Sequence, residues 1–91
     1  MKAEEILRTA ADLVSGPRKK QHGDVNEVFS RTSKLFFDMT GIDIHPLDCV
    51  GFMVCLKLAR LGSKGLNMDN YIDACGYLAL AGQIESETNE G

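Results

Sequence analysis

The segment LDCVGFMVCLKLARL, residues 47–61, most restricts what this chain can become. From Cys49 to Leu56 it is apolar on nearly every side of a helix. A helix of that kind belongs at the centre of a fold. It contains Gly51 and Lys57 and is too short to span a bilayer. A chain of 91 residues must therefore assemble its other elements around this one. The expected product is a single domain over residues 1–85, followed by a polar tail over 86–91.

The elements around it also read as helices. Residues 2–14 place Ile6, Leu7, Ala10, Ala11 and Leu13 or Val14 on one broad face, and Ser15, Gly16 and Pro17 end the run. A second helix is expected from about residue 25 to 39. Val28, Phe29, Leu35, Phe36 and Met39 form its apolar stripe, with Thr32 as the polar member and Gly41 as the stop. The IDIHP segment reads as extended, and Pro46 fits the first turn of the central helix, where Asp48 suits the dipole. Gly62, Ser63 and Gly65 break that helix. Asn67 or Asp69 then caps a fourth, reaching about residue 84. No alternating strand pattern stands out. The fold class is thus all-α, a compact four-helix domain with Val50, Met53, Val54, Leu58, Phe29, Phe36 and Leu78 in its core. The apolar excess on the last two helices, with Gly76 as a close-contact site, points to a homo-oligomer, a dimer first.

A net charge of −3 does not suggest a general nucleic-acid binder. Three cysteines, at 49, 55 and 75, sit in apolar runs and read as free buried thiols. With no secretory leader evident in MKAEEILRTA, the expected location is cytoplasmic, without a membrane partner. Zinc is not expected, because there is no CxxC and the two histidines lie far apart.

Three constellations carry chemistry. Lys57 and Arg60, three apart on the central helix, have apolar surroundings. Their stems can snorkel over the core, or their heads can form an anion site, Lys as a point charge and Arg as a fork. In DNYIDACGYLALAG, Asp69, Asn70 and Asp73 crowd the start of the last helix. Capping covers Asp69 easily and Asp73 poorly. Two like charges at four-residue spacing repel unless a hard cation such as Mg²⁺ bridges them. Alternatively Asp73 pairs with Lys57 or Arg60 as a structural ion pair. Tyr77 reads first as core packing and second as a base-stacking surface. The third constellation is Arg18, Lys19, Lys20, His22, Gly23 and Asp24, a basic run abutting a helix N-terminus, where anions bind. Asp24 and Glu27 are three apart and form an acidic capping box or further carboxylate ligands. His45 reads as structural. No nucleophile elbow, P-loop or dinucleotide fingerprint is present.

The order of these features is familiar: EEILRTAADLVSG, then R-x-x-x-HGD, an aromatic helix, PLDCVGFMVCLKLARL and DNYIDACGYLALAG. It resembles a family of small, uncharacterised bacteriophage-encoded helical domains over about residues 3–83, and a segment of some phage nucleotide kinases. HGD at 22–24, K-x-x-R at 57–60 and DN-x-x-D-x-x-GY at 69–77 carry most of the resemblance. Where family members often have Asn before the aromatic residue of the second helix, this chain has Val28. The chain is also loosely similar to the all-α nucleotide pyrophosphohydrolases of the MazG type. Those enzymes hold Mg²⁺ with paired acids on two helices and commonly act as dimers or tetramers. Their Glu-x-x-Asp motif would fall on Asn70-Tyr-Ile-Asp73, with Asp69 beside it, and their first acids on Asp24 and Glu27.

These resemblances imply a nucleotide or nucleotide-derived ligand at Arg18, Lys20, His22, Lys57, Arg60 and Tyr77. They imply Mg²⁺ at Asp24, Glu27, Asp69, Asn70 and Asp73, and a place in the host-cell cytoplasm. If the chain is catalytic, the reaction would be Mg²⁺-dependent pyrophosphate hydrolysis. The alternatives are a non-catalytic protein that sequesters a nucleotide signal, and one that binds and inhibits a host protein.

Overall fold

A computed structural model describes residues 1–16, 25–62 and 67–90. They form four α-helices: α1 (Ala3–Ser15), α2 (Val25–Thr40), α3 (Pro46–Ala59) and α4 (Met68–Glu90). There is no strand among the described residues. The chain is thus the compact all-α domain its patterning implies. Among the described residues no helix is long and apolar enough to cross a membrane.

Local chemistry sets the helix ends. Gly16 closes α1 by donating its N–H to Asp12 O at 2.8 Å. A Cβ there would lie 2.5 Å from that oxygen, so the glycine is required. Gly41 ends α2 at φ 74°, a left-handed conformation that suits a residue without a side chain. His45 caps α3: its Nδ1 accepts from Leu47 N at 3.1 Å, while Asp48 Oδ2 accepts from His45 N at 3.0 Å. Its reading as structural is therefore correct, and the ring nitrogen stands in for the usual capping oxygen. Asn67, rather than Asp69, caps α4, with Oδ1 accepting from Asp69 N at 3.0 Å. The helix runs on past the expected end near residue 84 to Glu90. No breaker intervenes there, and Gln83 Nε2 donates to Glu87 Oε1 at 3.0 Å one turn on.

The helices pack in the spatial order α1–α4–α3–α2, and the α3–α4 seam is the largest contact. The core cluster is Phe29, Cys49, Val50 and Ile84, with Ile44, Leu47, Met53, Tyr77 and Ala81 packed against it. Val50 is completely buried, confirming α3 as the centre. Gly76 is buried where α4 meets α1: a Cβ on it would touch Val14 Cγ1 at 3.4 Å, an ordinary contact distance. Its close contact is therefore within the chain, and it needs no second copy.

Three expected core residues are exposed. Leu58 and Leu78 lie on the outward faces of α3 and α4, 51% and 59% exposed. The inward face of α3 is taken by Val50, Val54 and Lys57, and that of α4 by Ala74, Tyr77 and Ile84. Phe36 is also largely open, because α2 turns Phe29, Ser30 and Ser33 toward α3. At about 100° per residue, that is roughly a quarter-turn from the apolar stripe's own centre. Val28, Leu35 and Met39 are consequently left in solvent. Cys55 is exposed as well, correcting the expectation of three buried thiols.

Candidate functional site

The α3–α4 seam holds a charged pair. Lys57 lies in the last turn of α3 and Asp73 in the second turn of α4. Lys57 Nζ and Asp73 Oδ2 are 2.9 Å apart, with side chains 16% and 26% exposed. The stem of Lys57 is sheltered by the apolar seam, as snorkelling predicts, but its head meets a carboxylate instead of open water. An ion pair so placed is stronger than a surface pair and costs more to break. This pairing answers why an acid stands in the second turn of α4, where the helix dipole gives it little support.

The neighbours of this pair differ in character. Asn70 is a buried polar side chain at 4% exposure, one turn before Asp73. No buried side-chain nitrogen or oxygen among the described residues lacks a hydrogen-bond partner. Asp69 is exposed at the helix start. Arg60 is exposed just past the end of α3, where its N–H donates to Lys57 O at 3.3 Å. Tyr77 packs edge-on against Phe29, with ring centroids 6.5 Å apart at 72°. It is half-buried and part of the core, as its first reading had it. Glu27 is exposed in the first turn of α2. Arg18, Lys20, His22 and Asp24 lie outside the described residues.

Of the candidate residues, the structure thus joins Lys57 to Asp73. Among the described residues no three of the His, Cys, Asp and Glu side chains form a metal-holding group. Asp69, Asn70 and Asp73, close together along the start of α4, carry oxygen donors of the type Mg²⁺ takes. A shallow groove lies elsewhere, lined by Ser33, Lys34, Phe37, Asp38 and Asp43. None of these five was singled out in the sequence. The available signal was Lys34 and Asp38 at four-residue spacing on α2.

Among the described residues, Cys49 is the one group with a displaced titration. Burial raises its thiol above the ordinary value, and the charge of Asp48 adds to this. Such a thiol is a poor nucleophile, and Cys49 belongs to the core rather than to a reactive site.

Comparison with known proteins finds phage relatives. The chain is 32% identical over 89 residues to the Gene 55 protein of Mycobacterium phage D29, covering 98% of this chain and 59% of that protein. It is 29% identical over 86 residues to the Gene 55 protein of Mycobacterium phage L5, covering 93% and 55%. The chain therefore spans less than two thirds of the length of these curated relatives. No solved structure matches it. Residues 5–85 match the family model described as Domain of unknown function (DUF6378). With nearly the whole helical domain inside that match, and with relatives in two mycobacteriophages, the chain belongs to the DUF6378 family.

Proposed function

We propose that this chain is a bacteriophage nucleotide-binding protein that grips the phosphates of its ligand at the α3–α4 seam. The observation that carries the reading is the sheltered Lys57–Asp73 pair. Its two charges are the complementary halves of a phosphate–metal site. On binding, Lys57 exchanges the Asp73 carboxylate for a phosphate oxygen, and Arg60, one turn on, offers a fork to the same group. Asp73 is then free to accept a cation. Asp69 and Asp73 would hold Mg²⁺, with Asp24, Glu27 and Asn70 as further oxygen donors, and the ion would neutralise pyrophosphate charge. The Asn70-Tyr-Ile-Asp73 spacing suits the MazG-like reading, in which the ligand is a nucleoside triphosphate cleaved to monophosphate and pyrophosphate.

The test is a thermal-shift screen of nucleoside mono-, di- and triphosphates with and without Mg²⁺, followed by assay for released pyrophosphate. A ligand at 100 times its Kd should stabilise by about 2.7 kcal/mol. Asp73→Asn should abolish the Mg²⁺-dependent part of the shift, and Lys57→Met the phosphate-dependent part. A folded wild-type protein that no nucleotide stabilises would defeat the proposal. Stabilisation without product would support sequestration of a nucleotide. A second reading, an inhibitor of a host protein, draws on exposed Phe52, Leu58 and Leu78. Under that reading no nucleotide shifts the melting temperature.

A further inference from the structure

One face of α2 has no cover in the described chain. Val28, Leu35 and Met39 recur at spacings of seven and four, so they form one stripe along the helix, and they are 39%, 57% and 83% exposed. Scattered apolar residues on a surface are ordinary; an ordered stripe on an amphipathic helix is not. We propose that this stripe is the seat of a homodimer, in which α2 packs antiparallel against α2 of a second copy across a two-fold axis. This assembly does not depend on nucleotide binding.

The stripe also matches itself. It is apolar at both ends, so reversing it about an axis near residues 34–35 lays the Val28 end of one copy over the Met39 end of the other. Leu35 lies close to its own counterpart. Arg31 and Asp38, seven apart, lie on the same flank of the stripe, and both are exposed. Reversal sets Arg31 of each copy against Asp38 of the other, so the charge pair forms twice. A two-fold interface requires this reciprocity: if i meets j, then j meets i. Opposite charges on the rim then select the antiparallel register.

Sedimentation equilibrium of the full chain at micromolar concentration tests the proposal. The expected mass is about twice 10.0 kDa. Leu35→Glu with Met39→Glu should give a monomer whose far-ultraviolet circular dichroism is unchanged, because both side chains are already solvent-exposed. Arg31→Asp should weaken the dimer by about tenfold, and adding Asp38→Arg should restore it. A monomeric wild type would overturn the proposal. So would a dimer that survives the Leu35 and Met39 changes, including one that dissociates on Phe52→Glu instead. A dimer that the Arg31/Asp38 exchange fails to restore would overturn the antiparallel arrangement.

Discussion

Removing one member of the Lys57–Asp73 pair tests how much of the α3–α4 seam it holds. Exposed ion pairs contribute about 0.2–1 kcal/mol, while breaking a buried pair costs about 3–5 kcal/mol. At 16% and 26% side-chain exposure, this pair lies between the two limits. Asp73→Asn leaves a sheltered ammonium without its counter-charge and should cost about 2 kcal/mol. Lys57→Met leaves a more exposed carboxylate and fills the seam with apolar volume, so its cost should be nearer 1 kcal/mol. The double substitution removes both charges. It should cost less than the two single changes added together, by a coupling of about 1 kcal/mol. For a chain of this size, 1 kcal/mol corresponds to about 4–8 °C in melting temperature. Asp73→Asn should therefore melt roughly 8–16 °C below the wild type. All four proteins are compared by thermal and urea unfolding at one protein concentration, since association would otherwise shift the midpoints. Costs that add to within about 0.3 kcal/mol would mean the two charges do not interact, and the description of the seam would fail.

Further outcomes follow from burial and titration. Val50→Ala should cost about 2–3 kcal/mol, since two buried carbons are lost and a cavity remains, whereas half-exposed Leu58→Ala should cost about 1 kcal/mol or less. Urea denaturation orders the two; a larger loss at Leu58 would contradict the outward face of α3. Gly76→Ala should be neutral or stabilising by up to about 1 kcal/mol, because helix propensity rises and Val14 lies at ordinary contact distance. Gly76→Leu should instead push α1 away and lower the melting temperature. With a thiol reagent, Cys55 should react first in the native protein and Cys49 only on unfolding. The raised Cys49 pKa also has a sign in stability. The unfolded thiol ionises first, near pH 8.5, while the folded one keeps its proton, so stability should decline as pH rises above that point. Cys49→Ser should flatten this alkaline decline, measured by urea unfolding at several pH values.

Much of the fold was legible because its signals are local. The all-round apolar run at 47–61 required a central helix, and Val50 within it is fully buried. Gly41, Pro46 and the Asn67 cap mark ends through backbone geometry and hydrogen bonding that neighbouring residues settle among themselves. At the candidate site, three- and four-residue spacing identified Lys57 and Asp73 as residues whose charge needed an explanation. Which cation Asp73 would meet was open, because Lys57 and Arg60 share a helix face and their distance to α4 depends on how the helices cross. Only the tertiary structure chose Lys57, and only it divided the apolar residues between core and surface. The stripe of α2 was visible in the sequence, yet periodicity gives the shape of a face and not the direction it points. Packing around Phe29 rotated that face away from α3, because one aromatic anchor among Cys49, Val50 and Ile84 outweighs several apolar contacts that have nothing opposite them within the described chain.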